Sequence, residues 1–146
     1  MTGRLSPRLA PLRGAPRLGG LAFALLLTAC GPRSPEAVGD KFIDYYLVEM
    51  DQGRAIQLAS GLAHDMLERE LRDVASVRKQ MGYMPADARP EIYYQRTGER
   101  DSGDGKVLIY DVTVKHKQDV SHKSAEVAVR REGDGWKVVF YKLSDG

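Results

Sequence analysis

Cysteine is nearly absent from this chain: one thiol, Cys30, stands in 146 residues. An internal disulfide is therefore impossible, and packing and hydrogen bonds alone must hold the fold. Histidine is scarce too, at positions 64, 116 and 122. His116 and His122 flank one predicted turn, but strand alternation puts them on opposite faces. His64 has no second histidine one helical turn away, so no metal-ligand set is read here. No glycine-rich loop joins a strand to a helix in the manner of a phosphate site, and no cofactor is predicted. No apolar run approaches the roughly 20 residues of a permanent bilayer span. Residues 1–29 hold no Asp or Glu but carry Arg4, Arg8, Arg13 and Arg17. Setting those four aside leaves 18 Lys+Arg against 20 Asp+Glu, a formal charge of −2. The basic excess thus belongs to the leading segment, and nothing predicts a nucleic-acid face.

What is present begins with an order of positive, apolar and small residues. Arginines and prolines run to Arg17, an apolar stretch covers Leu18 to Leu27, and Thr28-Ala29-Cys30 follows. That order is a targeting signal, with the positive end retained inside while the short apolar run enters the bilayer. Leu27-Thr28-Ala29-Cys30 resembles the lipobox of bacterial lipoproteins. The resemblance implies cleavage between Ala29 and Cys30, acylation of the Cys30 thiol and an N-terminal palmitate. By the same resemblance, Gly31 after the cysteine implies the outer membrane of a double-membraned bacterium, with the domain facing the periplasm. The other reading is an ordinary secretory signal in which Cys30 is incidental. The expected organisation is a removable signal peptide (1–29), a lipidated tether (30–35) and one α+β domain (36–146).

Behind the tether, Ser34 followed by Pro35 and Glu36 is a helix start. Val38, Phe42, Ile43, Tyr46, Leu47 and Met50 recur at three- and four-residue steps, predicting a helix to about Met50. Ala55 to Ala59 predicts a short second helix, and Leu62 to Met81 a third, ended by Gly82. From Glu91 the period becomes two, predicting strands over about 91–97, 106–116, 122–131 and 136–143. Asp101 to Gly105 and Glu132 to Gly135 are strong turn signals, and a weaker one is centred between Gln118 and Asp119.

Pairing like faces puts Leu108, Tyr110, Val112 and Val114 with Ala125, Val127 and Val129, and by parity with Trp136, Val138 and Phe140. The expected register sets Tyr110 opposite Val127 and Leu108 opposite Val129. Three helices on a curved four-stranded antiparallel meander, with the aromatic strand Gly135 to Tyr141, resemble the NTF2-like / cystatin-like small lipoproteins. That resemblance implies a sheet wrapping helices around a cone-shaped space, and a superfamily that holds enzymes, ligand carriers and non-enzymatic members.

Three groups are weighed for chemistry. Asp111 is a mid-strand acid whose parity points it away from the helices. Asp44, Tyr45 and Tyr46 cluster on the first helix, with Tyr46 on the core side and Asp44 off that stripe. The outer face of the sheet carries Val107, Ile109, Ala128, Val139 and Tyr141, with Leu143 a further member, more apolar surface than a solvated face needs, and is the candidate interface. The leading expectation is a non-enzymatic, membrane-anchored envelope lipoprotein binding a second copy, another protein or a small ligand. The alternatives are a small enzyme or lipid carrier using the cone, and a structural spacer.

Overall fold

The computed structural model describes residues 34–82 and 88–146. The signal segment, Ala29, Cys30 and most of the tether lie outside the described residues. Helix α1 spans Pro35–Ile43, and Ser34 caps it by accepting from the Ala37 N–H at 3.1 Å. The chain then widens into a π-helical turn, Asp44–Val48. There the Glu49 N–H reaches back to the Asp44 carbonyl at 2.8 Å, and Met50 takes a left-handed φ of 52°. Helix α2, Gln52–Ala55, is capped by Asp51 and runs into a 3-10 turn, Ile56–Leu58. Helix α3 spans Gly61–Met81.

Four antiparallel strands follow in the order β1-β2-β3-β4: Glu91–Ser102, Gly105–His116, Asp119–Glu132 and Gly135–Asp145. Each hairpin turn has two residues, with positive φ at Gly103, Lys117 and Gly133. The middle turn is thus Lys117-Gln118, not the turn expected one residue later. Tyr110 consequently pairs with Ala125 and Leu108 with Val127, a shift of two residues. A two-residue shift preserves parity, so the expected core face survives it. Leu108, Tyr110, Val112, Ala125, Val127, Val129 and Val138 are all buried.

On β4 the expected parity fails. A register irregularity between Ala128 and Val129 sets Val138 opposite Val129 but Phe140 opposite Ala128 and Tyr141 opposite Val127. One extra residue at a bulge reverses the faces beyond it. Phe140, expected inside, is on the outer face, whereas Tyr141, expected outside, is 5% exposed in the core. Leu143 likewise pairs with Ala125, on the helix side.

Helix α1 lies along β2 in the same direction, as the Glu36–Lys106 ion pair at 2.9 Å and the Asp40–Tyr110 bond at 2.9 Å show. Gly39 allows the approach. A Cβ there would run into Leu108 Cδ1 and sit 2.8 Å from the Tyr110 hydroxyl. A glycine inside a helix costs about 1 kcal/mol relative to Ala. Here close packing against β2 offsets that cost. Overpacking typically costs about 1–3 kcal/mol, so Gly39→Ala should lose that much stability despite its better helix propensity. Urea unfolding checks it: the midpoint should fall with an unchanged slope.

Candidate functional site

The face between helices and sheet holds two tyrosine–carboxylate networks. In the first, Asp40 and Asp44 on one side of the first helical segment meet β1 and β2. The Tyr110 hydroxyl donates to Asp40 at 2.9 Å, and the Tyr94 hydroxyl donates to Asp44 at 3.1 Å and reaches the Asp40 carbonyl at 3.3 Å. Arg96 stands 3.5 Å from the same Asp40 oxygen. The two rings meet edge to face at 5.9 Å. In the second network Glu70, on α3, accepts from Tyr46 at 3.1 Å and from Tyr141 at 2.7 Å on one oxygen. Phe42, Tyr46 and Tyr141 pack there with ring centres 4.8–5.6 Å apart.

Burial and the facing acids raise the ionisation of these phenols. Desolvation comes first for each, pushing Tyr46 up to about 12, with Glu70 beside it, and Tyr94 up to about 12, with Asp44 beside it. Tyr110 and Tyr141 are raised further by burial and by their bonds to Asp40 and Glu70. All four hydroxyls therefore remain donors at neutral pH. Acid–base chemistry in a cone needs a carboxylate in a dry void facing free donors. Here each hydroxyl already donates to a carboxylate. The space itself is filled by Tyr110, Phe42, Ile43, Leu67 and Leu108. The cleft bordered by Phe42, Tyr46, Val127, Tyr141 and Leu143 has about 10 Å³ of room, enough for about one water molecule.

The expected trio on the first helix is divided three ways by the π-helical turn. Asp44, read from sequence as lying off the core stripe, faces Tyr94. Tyr45 packs outward, with Lys41 and Arg54 over its ring at 4.6 and 4.0 Å. Tyr46 turns to Glu70. Asp111 is exposed, opposite Gln95 and Ser124 on the outer face. His116 pairs with Asp119 and His122 with Thr113, on opposite faces, so they share no site. His64, Asp65 and Glu68 come within reach of one ion on the surface of α3. Exposed groups of this kind commonly bind none, and no further ligand converges on them among the described residues.

Of the candidate interface, Val107, Ile109, Ala128 and Val139 occupy the outer face or its bulge, and Phe140 stands where Tyr141 was expected. Val107 is only 9% exposed, while Phe140 is 38% exposed. Arg100 on β1 reaches Glu126 on β3 at 2.9 Å, crossing β2 and dividing the patch. Among the described residues no helix is long and apolar enough to cross a membrane.

Neither network was named from sequence, although Glu70 falls in step with Ala63 and Leu67 on α3, and Asp40 precedes Asp44 by four residues. Those spacings were the available signal. The networks make base an effective denaturant. A phenol with a raised folded-state value contributes stability that is whole below its unfolded value of about 10 and is lost as pH rises through the folded value. Unfolding should therefore ease above about pH 10, and ultraviolet titration should show tyrosinate appearing together with unfolding. Glu70→Ala leaves two hydroxyls without their acceptor and should cost about 1–3 kcal/mol, with Tyr46 ionising at lower pH. Glu36 is shifted the other way, to about 2, chiefly by its bond to Lys106. Its contribution is present above the model-compound value of 4.5 and is lost as pH falls toward about 2. Glu36→Gln should flatten the acid limb of the stability curve over that interval.

No family model matches the sequence, and no curated protein matches it. Among solved structures the chain is similar to the crystal structure of a "Putative calcium/calmodulin-dependent protein kinase type II association domain" from Thiobacillus denitrificans. The TM-score is 0.55 at 18% identity, over 77% of this chain and 95% of that one. At that identity the likeness shows the fold alone: an α+β domain of the NTF2-like kind, with helices on one side of a four-stranded antiparallel sheet.

Proposed function

We propose that this chain is a lipid-anchored envelope protein whose NTF2-like domain is an association module and not an enzyme. The observation that carries the second half is the closed interior, with about 10 Å³ of free space at its cleft. A small-molecule site usually offers on the order of 300 Å³ or more. The acids that could do chemistry accept hydrogen bonds from tyrosines that the fold itself supplies. The similar structure is described as an association domain, which favours protein contact over a ligand carrier. The surface offered is the outer face of the sheet, where Phe140 stands out beside Ala128 and Val139. A second copy of this chain is the partner to test first.

The anchor rests on the order of residues 1–30, ending in Leu27-Thr28-Ala29-Cys30. Two or three acyl chains on one residue give attachment that is effectively permanent, at about 0.8 kcal/mol per buried methylene. The proposed site is the outer membrane, facing the periplasm.

Both halves are measurable. Metabolic labelling with a palmitate analogue should mark the protein, and Cys30→Ala should leave it unmarked and free of the membrane fraction. Light scattering on the detergent-solubilised mature protein should show a dimer, and Phe140→Glu should weaken it at least tenfold. A strict monomer at every concentration would count against self-association and leave a different protein as the partner.

A further inference from the structure

The length of chain ahead of the domain, and the place where it joins, say which end of the molecule meets the lipid. This step rests on acylation at Cys30. Three residues, Gly31 to Arg33, lie between that position and Ser34, and the four residue steps span at most about 14 Å. Ser34 caps α1, so the first turn of α1 must lie within that reach of the headgroups.

Several contacts define what else lies at that end. Glu36 pairs with Lys106, the second residue of β2, at 2.9 Å. Ser60 donates to Glu132, the last residue of β3, at 2.7 Å, and its N–H donates to the Val138 carbonyl near the start of β4 at 2.9 Å. The Gly103-Asp104 and Gly133-Asp134 turns, the start of α1 and the start of α3 therefore share one end. The β2–β3 turn at Lys117-Gln118 is at the other. Between them β2 runs 12 residues, on the order of 35 Å at about 3.3 Å per residue.

We propose that the Ser34 end is a membrane-contact surface and that the domain stands end-on against the bilayer, with the β2–β3 hairpin pointing away. The occupant of this surface is the phospholipid headgroup layer. Its side chains suit that layer. Leu62 is 53% exposed there, and Trp136, half-buried at the start of β4, belongs to the residue type enriched at membrane interfaces. Asp104 pairs with Arg130 at 3.0 Å and Lys106 with both Glu36 and Glu99. At the far end residues 115–122 are all exposed, Val120 at 54% among them, so it is the reach of the tether that distinguishes the two ends.

Since Cys30 is the only cysteine and is blocked once acylated, a single introduced cysteine can be labelled uniquely. Asp134→Cys and Lys117→Cys, each carrying a bimane dye, are placed as full acylated protein in phosphatidylcholine vesicles containing headgroup spin-labelled lipid. Quenching at position 134 should exceed that at position 117 at least threefold, and Leu62→Glu should narrow the difference. Equal quenching at the two sites, or stronger quenching at 117, would overturn the end-on arrangement. Intact mass of the same sample separates the two levels. An acylated protein with uniform quenching overturns the orientation alone, and a correctly processed product without acyl chains overturns the anchor and the orientation with it.

Discussion

The close approach of α1 to β2, made possible by a glycine at position 39, is the constraint on which the rest of the domain depends. With a methyl group there the helix would strike Leu108 and the Tyr110 hydroxyl, and it would have to stand farther from the sheet. At the observed distance Asp40 receives Tyr110, the next turn brings Asp44 to Tyr94, and Phe42 and Ile43 fill the interior. A helix held farther off would open space between itself and the sheet. The filled interior is thus a consequence of that one contact.

The polar groups on this face are of the kinds that do chemistry elsewhere, and environment decides between the two outcomes. A carboxylate becomes a useful acid or base when burial leaves it without partners. Here Glu70 accepts two phenols on one oxygen, and Asp40 accepts a phenol with a guanidinium beside it. Among the described residues no buried side-chain nitrogen or oxygen lacks a hydrogen-bond partner. The networks tie three separate segments, α1 with its π-helical turn, α3 and the sheet, through contacts far apart in sequence. Their role in this arrangement is to set how the helices sit on the sheet.

The fold was legible to the extent that it is written in alternation and helical period. Four strands, three helical segments and the buried set on β2 and β3 follow from apolar spacing, and a two-residue slip in register left that set unchanged because it conserved parity. Two departures have local causes that spacing does not carry. The bulge at Ala128/Val129 reversed Phe140 and Tyr141, and a bulge adds a residue without altering the composition of the strand. Asp44, Tyr45 and Tyr46 in the π-helical turn face three different neighbours, and Asp44, four residues after Asp40, meets the sheet on the same side as Asp40. The tyrosine–carboxylate pairs were hidden for a different reason: each joins residues 24 to 71 positions apart, and only the docked helices bring them together.

In the anchored arrangement proposed here, two copies meeting through their outer sheet faces would each need the Ser34 end toward the same bilayer. That requirement sets the twofold axis of such a dimer along the strands. The association-module reading of the domain requires a closed interior, and xenon reports on that most directly. Carbon–proton spectra recorded under increasing xenon pressure should show only small, linear, unsaturated shifts for the methyl groups of Ile43, Leu67, Leu108 and Val127. A saturating shift confined to those methyls would reveal a void large enough to bind a ligand and would contradict the account.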